Sequence, residues 1–94
     1  MKLAELHWPE VKKLDRKKIV VLVPVGSMEQ HGPHLPFQVD VFVSSRLAED
    51  LEKKIPEILL VPPIWAGVSA HHMDFPGSIT LRARVFIDLL HDIC

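Results

Sequence analysis

Two uninterrupted apolar runs constrain the fold of this chain more than any other feature. Residues 19–25 read Ile-Val-Val-Leu-Val-Pro-Val, and residues 58–64 read Ile-Leu-Leu-Val-Pro-Pro-Ile. Neither run alternates apolar with polar residues, and both are too short for a typical helix. Each therefore predicts a strand that is buried on both faces, as the strands of parallel sheets are. Proline cannot donate to a strand ladder, so pairing should loosen where each run contains it.

The segment between these runs predicts a helix over residues 40–54. Val43, Leu47 and Leu51 recur every four residues with Ala48 on the flank, and a polar face is supplied by Glu49, Asp50, Glu52 and Lys53. This spacing is typical of an amphipathic helix, which ordinarily packs its apolar stripe on a core. Asp40 stands where an N-cap residue would. Strand, helix and strand together predict a right-handed βαβ unit.

The remaining segments predict a small domain with no internal boundary over residues 1–94. A short helix is expected from about Pro9 to Leu14, and apolar residues at helical spacing predict a last helix from residue 83 to about residue 94. Residues 65–77 are expected to form a long loop with clustered polar groups. Two central strands would leave a parallel sheet poorly covered, so the chain either oligomerises heavily or is the first part of a longer α/β domain. The pattern favours the longer domain.

Composition excludes several classes of function. The formal net charge is −1 and no basic stripe is present, which argues against a nucleic-acid partner. No apolar run approaches the roughly 18 residues of a membrane span, so no membrane association is expected. The single cysteine, Cys94, excludes an internal disulfide and fits a reducing compartment, so the protein is expected to be cytoplasmic.

The loop after the first apolar run is dense in metal-ligating residues. Within residues 26–40 lie Glu29, His31, His34 and Asp40. In open parallel sheets ligands bind outside the carboxyl ends of the strands, which is where this loop begins. Glu29 and His31 are two apart and project the same way in an extended loop, and Asp40 arrives from the start of the helix. A mixed nitrogen and oxygen set suits zinc, manganese or iron(II).

Each of these residues also has a purely structural interpretation. Asp40 could be a plain helix N-cap and Glu29 a surface or capping carboxylate, while His31 and His34 could be loop histidines bonded to backbone. The loop at residues 65–77 raises the same question. His71 and His72 are adjacent and are not expected to point at the same place, while Asp74 could orient either imidazole.

One stretch of this sequence resembles a known family. Pro24-Val-Gly-Ser-Met-Glu-Gln-His-Gly-Pro-His-Leu-Pro36, followed by Asp40, is similar to the signature of the creatininase (creatinine amidohydrolase) family. The opening Leu6-His-Trp-Pro-Glu10 and the later His72-Met-Asp-Phe-Pro-Gly-Ser-Ile79 match flanking landmarks of that family. The resemblance covers nearly the whole chain in order.

The resemblance implies a fold, a reaction and an assembly. The fold would be a three-layer αβα structure with a mainly parallel sheet, of which this chain is the N-terminal βαβ portion. Members are amidohydrolases that carry two divalent metals (Zn, Mn or Fe(II)) and open a carbon–nitrogen bond in small cyclic or linear amides through a metal-bound hydroxide. They assemble as homo-oligomers, often hexamers.

The resemblance also implies roles for single residues. Glu29 would hold one metal, His31 the other, and Asp40 would bridge both. His34, His72 and Ser78 are candidates to touch the substrate or support the ligands, and no catalytic group is assigned. The chain departs from the family at Gln38-Val39, where Gly-Thr is common, and at Ser78, where threonine is common.

A later motif of the family is missing from this sequence. A His-Gly-Gly-Asn-like segment that supplies a further metal ligand would follow the last helix, and Cys94 ends the chain before it. These 94 residues alone are therefore expected to be inactive and to bind metal weakly. The alternative is a non-catalytic remnant that binds metal weakly or only oligomerises.

Overall fold

The computed structural model describes residues 1–94, and a short parallel sheet lies at its centre. Strand β1 (Val20–Leu22) pairs with strand β2 (Ile58–Leu60) in parallel register. Both strands are shorter than the apolar runs that encode them, because proline interrupts the ladder as expected. Pairing resumes once beyond the prolines, at the bridge between Val25 and Ile64.

The two strands of the sheet differ in burial. All three residues of β2 are buried, whereas Val20 and Val21 of β1 are 59% and 56% exposed. The prediction of burial on both faces is confirmed for β2 and wrong for β1. The two strands differ in burial because they differ in their position in the sheet. Lys2 pairs with Leu60 on the far side of β2, which makes β2 the central strand. Strand β1 is left at the edge.

Helix α2 (Val39–Lys54) connects the strands. Its N-cap residue is Gln38, so Asp40 lies inside the first turn, and the N-cap interpretation of Asp40 is wrong. Gly26 allows the start of α2 to lie close to the end of β1. A Cβ atom at Gly26 would be 2.7 Å from the backbone nitrogen and Cα of Val41, closer than real Cβ contacts come.

Helix α2 presents its small residues to the sheet. Ala48 is buried against β2, and the hydroxyl oxygen of Ser45 is buried as well. The apolar stripe faces away, with Val43, Leu47 and Leu51 being 50%, 61% and 44% exposed. The usual expectation that the stripe packs on the core is therefore wrong here, because the close approach of helix and sheet selects the smaller side chains.

Two further helices lie outside the βαβ unit. Helix α1 (Trp8–Lys12) is shorter than the predicted helix, and its start is held by the His7 backbone N–H, which donates to Glu10 Oε2 at 2.7 Å. Helix α3 (Ala83–Ile93) agrees with the predicted last helix. Single turns of 3-10 helix occupy Leu3–Glu5 and Ala70–His72. No helix combines the length and apolarity that crossing a bilayer requires.

The chain does not close a core of its own. Only ten of its 94 residues are buried, and its radius of gyration is 15.6 Å, against about 12 Å for a compact domain of this length. The N-terminal segment covers β1 incompletely, since Leu3, Leu6 and Trp8 line an open apolar groove of about 810 Å³ above Val21 and Leu59. The expected poor cover of the sheet is confirmed.

Candidate metal centre

Two loops meet beyond the carboxyl ends of the strands. The loop after β1 is joined to the loop after β2 by the bridge between Met28 and Ile79, where the Ile79 N–H donates to the Met28 carbonyl at 2.8 Å. The same second loop is folded back on itself by a bond from the Leu81 N–H to the Gly67 carbonyl at 2.8 Å. These backbone contacts bring the predicted ligands of both loops to one end of the sheet.

The structure brings Glu29, His31 and Asp40 together. One potential ligand atom of each lies within 4.8 Å of those of the other two, and all three residues are half-buried. His31, from the loop, and Asp40, from the helix, approach to 3.5 Å between His31 Nε2 and Asp40 Oδ2. We call these three residues the His31 trio. Their proximity agrees with the expectation that an extended loop and a helix start converge.

The hydrogen-bond partner of His31 Nδ1 decides which tautomer a neutral His31 adopts. His31 Nδ1 lies 3.0 Å from the backbone carbonyl oxygen of Glu29, and a carbonyl can only accept. Nδ1 therefore carries the proton, and Nε2 points a lone pair toward the Asp40 carboxylate. Two electron-pair donors at this distance repel unless a cation lies between them. The trio thus fits a divalent ion, and an imidazole held by a backbone carbonyl is the usual form of a histidine ligand.

Asp40 is held in place from the loop as well as by its helix. Ser27 Oγ donates a hydrogen bond to Asp40 Oδ2 at 2.6 Å. Because Asp40 lies in the first turn of α2, the helix dipole also favours its negative charge. The sequence analysis did not assign a role to Ser27. In the sequence, only the position of Ser27 directly after Gly26, within the ligand-rich loop, could have indicated this role.

A second group of potential ligands shares Glu29 with the trio. Glu29, His71 and His72 also have ligand atoms within 4.8 Å of one another, and the two imidazole centroids are 4.2 Å apart. The expectation that these adjacent histidines point to different places is wrong. They belong to the 3-10 turn Ala70–His72, where consecutive side chains do not alternate between two faces as they do in a strand.

Three other candidates lie at the margin of the site. His34 is exposed and belongs to neither ligand group. Ser78 is buried, and its Oγ accepts a hydrogen bond from the Gln30 backbone nitrogen at 3.3 Å, so it supports the backbone of the loop that carries Glu29 and His31. Asp74 is exposed and forms no hydrogen bond or ion pair with either imidazole, and Gln30 orients His72 instead, with Gln30 Nε2 at 2.9 Å from His72 Nδ1.

Comparison with known protein families identifies one match along nearly the whole chain. The family model described as creatininase, creatinine amidohydrolase, matches residues 4–94. Among characterised relatives, the chain is 38% identical to the 3-dehydro-scyllo-inosose hydrolase of Thermotoga maritima over 76% of this chain and 23% of the relative. It is 40% identical to the mycofactocin precursor peptide peptidase of Mycobacterium ulcerans over 74% of this chain and 31% of the relative.

Solved structures of creatininase share the fold. A manganese form matches with a TM-score of 0.87 and 28% identity, over 98% of this chain and 38% of that protein. A mutant creatininase of zinc–zinc type matches with a TM-score of 0.86 at the same identity and coverage. The two-stranded parallel sheet and its helices therefore correspond to part of a creatininase-type αβα fold. The chain spans less than two-fifths of the length of each of these proteins.

Proposed function

The chain belongs to the creatininase family, and from this membership we propose that it is part of a metal-dependent amidohydrolase. The reaction is the hydrolysis of a carbon–nitrogen bond in a small cyclic or linear amide. Two names support the reaction class, since the family description is creatinine amidohydrolase and one relative is a peptidase, and both describe hydrolysis of a carbon–nitrogen bond. Cys94 being the single cysteine supports a cytoplasmic location.

In this proposal the His31 trio supplies part of a dinuclear site. Glu29 would help to hold one divalent ion, His31 would help to hold the other, and Asp40 would contribute to both. The observation that carries the proposal is the approach of His31 Nε2 to Asp40 Oδ2 at 3.5 Å, with His31 Nδ1 already donating to a carbonyl. Zinc and manganese match this donor set, and so does iron(II). A bound divalent ion would supply Lewis-acid polarisation of a carbonyl and a lowered pKa for water.

The chain's own residues hold and shape this site. Ser27 orients the Asp40 carboxylate, and Ser78 accepts from the backbone of the metal-binding loop. We propose that residues 1–94 are the N-terminal part of one creatininase-like domain without an internal boundary. Further ligands and the proton donor for the leaving nitrogen would then lie in other polypeptide, so we expect no amide hydrolysis from these residues alone.

We also propose that the chain forms a homo-oligomer. The alternative, a non-catalytic remnant that only oligomerises, would assemble in the same way. The exposed apolar stripe of α2 supports the homo-oligomer, because Val43, Leu47 and Leu51 are large apolar residues in solvent on one helix face. Contiguous apolar surface of this kind marks interaction sites on soluble proteins. A hexamer, as expected from the family resemblance, is one such assembly.

Metal analysis of variants tests the proposed site. Purified chain is equilibrated with zinc or manganese, and bound metal is measured by mass spectrometry for wild type, Glu29→Gln and Asp40→Asn. We expect occupancy to fall by at least about tenfold in both variants, because each loses a ligand charge in a set of three. Glu57→Gln is the matched control, since Glu57 is exposed and outside both ligand groups. Unchanged occupancy in both site variants, with helix content preserved by circular dichroism, contradicts the assignment.

A further inference from the structure

One residue of the metal-binding loop bonds to both loops at once. The side-chain oxygen Oε1 of Gln30 accepts a hydrogen bond from the Gly32 backbone N–H at 2.8 Å. The side-chain nitrogen Nε2 of Gln30 lies 2.9 Å from His72 Nδ1. Gly32 makes this turn possible, since its φ of 75° is in the left-handed region that favours glycine. The amide of Gln30 therefore links the turn after Glu29 to the 3-10 turn that carries His72.

The direction of these bonds fixes where the proton of His72 lies. A backbone N–H can only donate, so the atom of Gln30 that faces Gly32 is the oxygen. The amide NH₂ therefore faces His72, and because it can only donate, His72 Nδ1 must accept. A neutral imidazole that accepts at Nδ1 carries its proton on Nε2. His72 and His31, which both belong to ligand groups that include Glu29, are thus held in opposite tautomers.

This difference separates the two ligand groups that share Glu29. In the His31 trio the imidazole offers a lone pair at Nε2. In His72 the lone pair at Nδ1 is taken by Gln30, and Nε2 carries hydrogen. The Nε2 atom is 3.8 Å from Glu29 Oε1, too long for a hydrogen bond, and the His72 side chain is 24% exposed. Its N–H is therefore available to an incoming acceptor.

We propose that Gln30 is a positioning residue that holds His72 in the Nε2–H tautomer. His72 is thereby kept out of metal coordination and offers a hydrogen bond beside Glu29. The ligand that this donor fits is an oxygen acceptor, such as the carbonyl oxygen of an amide. The tautomer follows from the bonds of Gln30 alone, and only the separation of His72 from the metal ligands rests on the proposed function.

Nitrogen NMR of the imidazole rings tests the tautomer directly. Long-range ¹H–¹⁵N spectra of the labelled chain are recorded at a pH where histidine is neutral, with the His72 signals assigned from a His72→Asn variant. In wild type we expect hydrogen on Nε2 and none on Nδ1. In Gln30→Glu a carboxylate oxygen can still accept from Gly32 while the other accepts from His72, so Nδ1 of His72 should acquire a proton.

Two comparisons keep this experiment decisive. Gln38→Glu adds the same charge near the start of α2, where the Gln38 side chain makes no capping bond, and should leave the His72 tautomer unchanged. Gln30→Leu removes the donor without supplying an acceptor and should leave His72 as a mixture of both tautomers. A proton on His72 Nδ1 in the wild-type chain, or a His72 spectrum identical in wild type and Gln30→Leu, overturns the inference.

A zinc titration followed by the same spectra separates this inference from the proposed function. In wild type, zinc should shift the Nε2 signal of His31 at lower zinc concentration than either signal of His72. Equal shifts of both histidines refute the exclusion of His72 from the metal. If zinc shifts no histidine while His72 keeps its Nε2–H tautomer, the proposed metal function fails and the positioning role of Gln30 stands.

Discussion

At the scale of single residues, hydrogen-bond partners decide what each polar side chain of the site can bind. His31 and His72 have the same chemistry, yet the Glu29 carbonyl and the Gln30 amide give them opposite proton positions. Sequence spacing predicted that Glu29, His31 and Asp40 would converge, and they do. It could not predict the role of Gln30, because that role depends on a contact with His72, which lies 42 positions along the chain.

Removing the hydroxyl of Ser27 should weaken metal binding without unfolding the chain. Ser27 donates to Asp40 Oδ2 at 2.6 Å, and partners of this kind typically contribute about 10–100-fold to metal affinity. We expect Ser27→Ala to weaken zinc binding by about that factor in isothermal titration calorimetry. Ser44→Ala is the control, because Ser44 bonds only to the Val41 carbonyl of its own helix. Equal affinities of the two variants would show that Ser27 has no supporting role.

Glu52 should make folding stability depend on pH. The hydrogen bond from the Met1 ammonium to Glu52 Oε1, at 2.7 Å, lowers the pKa of this carboxyl below its ordinary value of 4.5. A lowered folded-state pKa contributes stability that is present above the unfolded-state value and lost as pH falls through the folded-state value. Glu52→Gln should therefore lower Tm at neutral pH.

The difference between wild type and Glu52→Gln should vanish in acid, where Glu52 is protonated in both folded and unfolded chains. Thermal unfolding followed by circular dichroism from neutral to strongly acidic pH measures it. Glu57→Gln, which changes an exposed carboxylate, should shift Tm little at any pH. A constant difference between the Glu52→Gln and wild-type curves at all pH values would exclude the ion pair as its source.

At the scale of secondary structure, periodicity predicted the elements well and their orientation poorly. The helix expected at residues 40–54 is Val39–Lys54, and the last helix is Ala83–Ile93. The face that α2 turns to the sheet could not be read from the same pattern. Ala48 packs on β2 because the helix approaches closely, and the apolar stripe is left in solvent.

The close approach of α2 to the end of β1 should make Gly26 intolerant of a side chain. A Cβ at this position would lie 2.7 Å from two backbone atoms of Val41, and a backbone cannot move aside as a side chain can. We expect Gly26→Ala to destabilise the chain by about 1–3 kcal/mol in urea unfolding. Because α2 carries Asp40, metal affinity should fall as well. A variant as stable as wild type would show that α2 does not depend on this contact.

At the scale of the whole molecule, more of the chain's large hydrophobic residues are exposed than buried. The groove beside Trp8 and the stripe on α2 are both open to solvent. The sequence pointed to this outcome, since a parallel sheet of only two central strands is left poorly covered. Which polypeptide covers the groove and the stripe cannot be read from this sequence, because it depends on contacts with residues outside this chain.

A change in the α2 stripe should alter assembly. Leu47 is 61% exposed at the centre of the stripe, so Leu47→Gln should reduce association while leaving the helix content unchanged. Sedimentation velocity over a range of concentrations measures this, and the wild-type chain should show concentration-dependent oligomers. Lys53→Gln places the same residue at another exposed position of α2 and should not change association. A monomeric wild-type chain at every concentration contradicts the proposed oligomer.

The sequence by itself determined the βαβ order, the loop that carries the candidate ligands, and the family. These follow from local information, because apolar runs, helical spacing and a dense motif are read along the chain. Only the tertiary structure decided that β1 is an edge strand, that His71 and His72 face Glu29 together, and that Gln30 sets the tautomer of His72. Each of these depends on groups distant in sequence, whose contacts are decided by packing and hydrogen-bond direction in three dimensions.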